Sequence, residues 1–79
     1  MATLRLFASA REAAGTDRAV IDAATVGAVL AEAEARYGPG FSAVLAISRV
    51  WRNGDPAGPD DPVGPGDEVA VLPPVSGGS

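Results

Sequence analysis

At 79 residues the chain is one small domain, with 47% hydrophobic residues to build a core and a formal charge of −4 from ten acidic and six basic side chains. It has no Cys and no His, and every basic residue is arginine, which excludes disulfides, thiolate or lysine nucleophiles, Cys/His zinc sites, histidine acid–base chemistry and self-attachment through a lysine. The acidic balance argues against nucleic acid, whose phosphates need neutralising, and points to partners with a basic docking face.

Residues 3–8 alternate with period two, which predicts a half-buried strand with Leu4, Leu6 and Ala8 on one side and Thr3, Arg5 and Phe7 on the other. Arg5 interrupts what would otherwise be the start of an apolar block, so no signal peptide is expected. No apolar run approaches the roughly 20 residues of a membrane span, and a cytoplasmic protein is expected. Residues 9–17, with Gly15 and Asp17, read as a turn. Residues 18–22 then form a second strand, antiparallel to the first.

Thr25 is placed to cap a helix. Val26, Val29, Leu30, Ala33 and Tyr37 follow as one apolar stripe, and Glu32 and Arg36 pair on the polar side. Gly38-Pro39-Gly40 stops that helix. Residues 41–47 are apolar and fit either a short helical turn or the approach to a strand. A strand over 48–52 ends at Asn53-Gly54, a strong turn signal. Residues 55–66 are rich in Pro, Gly and Asp and form a long connection, with Ala57 and Val63 available for burial. The last strand covers 67–72, with Val69 and Val71 facing opposite Ala70 and Leu72.

Two strands, one main helix and two further strands predict an α+β domain, a mixed sheet packed on that helix. The first and last strands, both apolar and separated by a helix, suit a parallel pairing at the centre. This is the outline of a β-grasp. The domain is expected over 1–72, followed by a flexible tail over 73–79. In that tail, Pro73 and Pro74 favour an extended path, and Gly77-Gly78 carries no side chains to obstruct a narrow slot. Gly-Gly-Ser composition also fits a plain linker.

Leu4-Arg5-Leu6-Phe7-Ala8-Ser9-Ala10-Arg11-Glu12-Ala13-Ala14-Gly15 resembles the opening of the small subunit of molybdopterin synthase. Gly66-Asp67-Glu68-Val69-Ala70-Val71-Leu72-Pro73-Pro74-Val75-Ser76-Gly77-Gly78 is similar to its ending. The resemblance covers essentially the whole domain and implies a ubiquitin-like sulfur carrier. In that family an E1-like adenylating enzyme activates the terminal glycine carboxylate, and a sulfur donor system converts it to a thiocarboxylate. The tail then enters the large subunit of molybdopterin synthase and gives sulfur to precursor Z. Carried over, Gly78 bears the acyl-adenylate and then the thiocarboxylate, and Gly77 allows passage through the slot. The chain binds no cofactor of its own; ATP is consumed in trans. It supplies no catalytic side chains. Pairing with a large subunit into a heterotetramer is implied by the resemblance alone.

Phe7 and Leu72 share a sheet face by parity. They form either an exposed apolar patch at the tail root or a satellite core cluster. With Pro73, Pro74, Val75 and Ser76 they make the expected partner contact, the face that the family turns to its large subunit. Arg11 and Glu12 are partner contacts or a solvated pair. Asp60, Asp61, Asp67 and Glu68 dock on a basic surface or are ordinary turn acids. The facing of Trp51 is not fixed by the pattern, and the core is its expected place. Ser79 departs from the family, whose members end on the second glycine. It is an added residue, part of a precursor that is trimmed, or the mark of a lost activity. Carriers for thiamine or cysteine synthesis share the Gly-Gly end, and a ubiquitin-like adaptor without chemistry is the rival of another class.

Overall fold

The alternation in the first strand places Ala2, Leu4 and Leu6 of β1 (Ala2–Leu6) wholly inside, with Thr3 and Arg5 half-exposed between them. The structure, a computed structural model, describes residues 1–74. The expectations for Val75, Ser76, Gly77, Gly78 and Ser79 lie outside the described residues. After β1 come α1 (Ala8–Ala14), β2 (Arg18–Ile21), α2 (Val26–Tyr37), α3 (Pro39–Ala46), β3 (Arg49–Arg52), β4 (Asp55–Pro56) and β5 (Glu68–Leu72). The strands form one mixed sheet in the order β2-β1-β5-β3-β4. β1 and β5 run parallel, in register from Thr3 opposite Glu68 to Leu6 opposite Val71. The other pairings are antiparallel. This is the β-grasp that the pattern predicts, with its first and last strands adjacent at the centre.

One side of the sheet is covered. Leu4, Leu6, Ile21, Val69 and Val71 meet Val26, Val29 and Ala33 of α2, Ala10 of α1 and Phe41 of α3, and all of these are buried. Phe41 is the largest fully buried side chain, and its ring meets Tyr37 edge-on at 5.4 Å. Thr25 caps α2 as expected, its Oγ1 accepting from the Ala28 N–H at 3.1 Å, and Arg36 Nε donates to Glu32 at 3.1 Å.

Two sequence expectations change, and one open reading is decided. Residues 9–17 are not simply a turn, because seven of the residues after Phe7 form α1. Ala10, Ala13 and Ala14 lie at helical spacing, so even this short helix has an apolar side, and the Gly15 N–H closes it on the Arg11 carbonyl at 2.9 Å. Ala8 accordingly leaves the inward-facing set of β1 and becomes the exposed first residue of α1. Of residues 41–47, all but Ile47 belong to helix α3, because Pro39 is preorganised at its first turn and Phe41, Val44 and Leu45 present one packed side. The predicted long loop carries a two-residue strand, since Asn53 (φ 50°) and Gly54 (φ 88°) make a tight reversal that sets Asp55 opposite Arg52.

The rest of that connection closes the N-terminus of α2. The Val26 N–H donates to the Asp61 carbonyl at 2.9 Å and the Gly27 N–H to the Pro59 carbonyl at 2.8 Å. Helix donors that would otherwise lack partners are thus satisfied by the loop backbone. Gly27 is required for this approach, because a Cβ there would lie 2.9 Å from the Pro59 carbonyl oxygen. Gly27→Val is expected to cost about 1–3 kcal/mol through overpacking. Urea unfolding should show a lower midpoint at unchanged slope; an unchanged midpoint would mean the loop does not hold this contact in solution.

Candidate functional site

Among the described residues, no helix covers the sheet's other face. The pairings put Arg18, Arg5, Ala70, Trp51 and Pro56 in one row across all five strands, and set Leu72 opposite Arg49. The central position of that row is alanine, so the larger side chains on either side stand above it. A hollow of about 630 Å³ opens there, with Trp51, Ile47 and Arg49 on one side and Phe7, Leu72, Pro73 and Pro74 on the other.

Phe7 and Leu72 occupy the face expected from parity, 40% and 36% exposed, and Ile47 at the end of α3 adds a third exposed apolar group at 66%. They form an exposed apolar patch rather than a satellite of the core. Chain direction places Phe7 there. Its N–H donates to the Val71 carbonyl at 3.3 Å, and Ala8, with φ 51°, then turns the backbone away from the sheet. The Arg5 guanidinium lies 5.7 Å from the Phe7 ring centroid and 3.5 Å from Glu68 Oε2. Of the two prolines expected at the tail root, Pro73 is buried and Pro74 exposed, and both line the hollow.

Trp51 corrects the sequence reading. It is half-buried on the open face, and Val50 is the residue of β3 that packs on the core. Composition alone favoured the core, and the register that turns Trp51 outward is a non-local fact. Asn53 sets it: its N–H donates to the Glu68 carbonyl at 2.9 Å, and its side-chain oxygen accepts from the Glu68 N–H at 2.9 Å. Ile47 was likewise missed, its only signal being an isoleucine beyond the packed spacing of α3.

The acids divide by role. Asp61 Oδ2 accepts from the Gly58 N–H at 2.9 Å, and Asp67 accepts from the Asn53 amide at 3.0 Å and the Gly64 N–H at 2.8 Å. Both are turn clamps. Asp60 is exposed, and Arg11 and Glu12 are exposed on α1, away from the row described above. The ionisable groups that line the hollow are Arg49 and Glu68, so it is suited to burying apolar surface rather than to acid–base chemistry.

The fold has counterparts among known proteins. The model of the ThiS family matches residues 4–78, a span that contains both terminal motifs. The chain belongs to the ThiS family. No curated protein matches it in sequence. Among solved structures, small archaeal modifier protein 1 of Haloferax volcanii is 34% identical, covering 96% of this chain and 97% of that one, with a TM-score of 0.80. A candidate subunit 1 of molybdopterin converting factor from Pyrococcus furiosus is 27% identical over 94% of this chain and 97% of its own, with a TM-score of 0.82. The complex of subunits 1 and 2 of that factor from Helicobacter pylori contains a chain with the same fold, at 21% identity, 96% coverage of each chain and a TM-score of 0.74. As a ThiS-family member the chain has the ubiquitin-like fold of sulfur carriers. None of its described helices is long and apolar enough to cross a membrane.

The clamp on Asp67 generates a test. Hydrogen bonds from the Asn53 amide and the Gly64 N–H, with the Arg52 charge, hold its carboxyl below the ordinary value of 3.8. A depressed carboxyl stabilises the fold at neutral pH and loses that contribution as pH falls below about 4 and through the folded value. Asp67→Asn should flatten the part of the urea midpoint's decline between pH 5 and pH 2 (roughly the carboxyl range) that is due to this group. Identical pH profiles for the two proteins would show that the clamp adds no pH-dependent stability.

Proposed function

We propose that this chain is the sulfur carrier subunit of molybdopterin synthase, charged at Gly78 and used in molybdenum cofactor biosynthesis. The observation that carries the reading is continuity. Central strand β5 ends at Leu72 beside an apolar hollow, Pro73 and Pro74 form the hollow's rim, and Val75-Ser76-Gly77-Gly78 follows in sequence. At about 3.3–3.6 Å per residue, the segment from Pro73 to Gly78 reaches roughly 20 Å when extended. That length takes a terminal carboxylate into another protein's site while the hollow docks at its entrance.

The chemistry suits a carrier without His, Cys or Lys. A carboxylate is a poor electrophile until an E1-like enzyme activates it. A Gly78 carboxylate oxygen attacks the α-phosphorus of ATP, and pyrophosphate leaves. A sulfide-level donor then attacks the acyl carbon and displaces AMP, leaving the thiocarboxylate. In the large subunit its sulfur passes to precursor Z, and water at the acyl carbon restores the carboxylate. No cofactor rests on the carrier. With Ser79 attached, the Gly78 carbonyl is an amide, so the reacting form ends at Gly78.

The Pro-Pro-Val-Ser sequence favours molybdopterin over the thiamine and cysteine pathways, whose carriers share the adenylation step. A second reading has one observation behind it: the Haloferax volcanii relative at 34% identity is named a modifier protein. The same activated carboxylate would then acylate a lysine of another protein, this chain having none.

Intact mass of the untagged protein from its native cells tests both. The carrier reading expects loss of the serine residue and a fraction about 16 Da heavier, where sulfur replaces oxygen. Gly78→Ala should abolish sulfur transfer and leave the thermal midpoint unchanged. Normal dithiolene formation by that variant would overturn the carrier reading, and lysine-linked adducts without a thiocarboxylate would establish the modifier.

A further inference from the structure

Charge is distributed unevenly between the two sides of the sheet. On the open face, the strands carry Arg5, Arg18 and Arg49 and a single carboxylate, Glu68. The other three arginines share the rest of the chain with nine of its ten acids. Arg5 and Arg18 are directly opposite each other on β1 and β2, an unfavourable like-charge pair that adds nothing to the sheet. Glu68 reaches Arg5 at 3.5 Å, and among the described residues neither Arg18 nor Arg49 has a carboxylate partner. Arg49 lines the hollow opposite Leu72, where the tail departs. An acidic domain thus turns a cationic rim and an apolar centre toward whatever receives its tail.

We propose that this face docks on the adenylating enzyme through a surface that is apolar at its centre and flanked by carboxylates. The inference rests on the carrier reading above and reverses the basic docking face expected from net charge. The apolar groups around Trp51 supply the area that is buried, and Arg18 and Arg49 fix orientation and speed encounter. Rim charges act chiefly on association and are screened by salt. Arginine suits the task, since its planar guanidinium binds carboxylates in bidentate fashion and is weakly hydrated.

ATP–pyrophosphate exchange by the E1-like enzyme from the same genome, with the chain ending at Gly78, separates the two ideas. With Arg18→Glu and Arg49→Glu combined, KM for the carrier should rise about tenfold or more, with kcat kept within about twofold. A control carrying Ala28→Glu, Ala31→Glu and Ala35→Glu on the exposed side of α2 and Ala43→Glu on that of α3 makes the same change in net charge and should leave KM near the wild-type value. The wild-type KM should also rise as NaCl increases, a readout that needs no variant. A KM unmoved by both charge reversal and salt would overturn the cationic docking face while exchange itself upholds the carrier reading. An equal rise in KM for the control would reduce the effect to net charge and overturn it too. No exchange with the wild-type chain would remove the carrier reading and this inference together.

Discussion

The structure depends on the parallel ladder between β1 and β5. Its pairs, from Thr3 with Glu68 to Leu6 with Val71, join residues more than 60 positions apart, and they unite β2 and β1 with β5, β3 and β4 into one sheet. Closing so long a chain is entropically costly, and the return is concentrated in the core. Leu4, Leu6, Val69 and Val71 lie side by side at 0–2% exposure, each burial contributing about 1.5–3 kcal/mol. The alternation that buries these four also sets the open face, because Arg5, Phe7, Ala70 and Leu72 are the residues between and beyond them. Core and open face are the two parities of the same strands.

A parallel pair needs a connection across the sheet, and α2 supplies it. The helix is fixed from two directions: its apolar stripe by the sheet, and its N-terminus by the carbonyls of Pro59 and Asp61. The stretch rich in Pro, Gly and Asp, poor in side chains to bury, therefore works through its backbone. Val63 is its one residue in the core cluster, and the Val63 N–H bonds to the Ala24 carbonyl at 2.9 Å. At the other end of this connection, Asp67 and Asn53 tie the β3 turn to the start of β5. Loop chemistry at that point decides which way Trp51 faces.

Much of this was legible in the sequence where the signal is local and periodic. Thr25 with Val26, Val29 and Ala33 specifies a capped, amphipathic α2, and the period-two strands specify the faces of Leu6, Phe7, Val71 and Leu72. Shorter elements were not legible. In α1 the apolar side consists of alanines, which give little contrast with a turn, and the strand pattern runs past Leu6 to Ala8 before the backbone breaks it. Trp51 required the register of β3, which depends on hydrogen bonds between Asn53 and Glu68, 15 positions apart. Net charge misled in another way. It averages over the surface, while the pairings of β1, β2, β3 and β5 collect arginines on one side of it.

The position of β5 has a mechanical consequence. It lies between a parallel neighbour and an antiparallel one, and its C-terminal end leads directly into Pro73 and Pro74. Traction on that end loads the ladders to β1 and β3 in shear, so many hydrogen bonds must yield together rather than one after another. A tail leaving from edge strand β2 or β4 would peel off bond by bond under the same force. An enzyme that grips this chain by its end and draws it into a slot would therefore pull against a strand held on both edges.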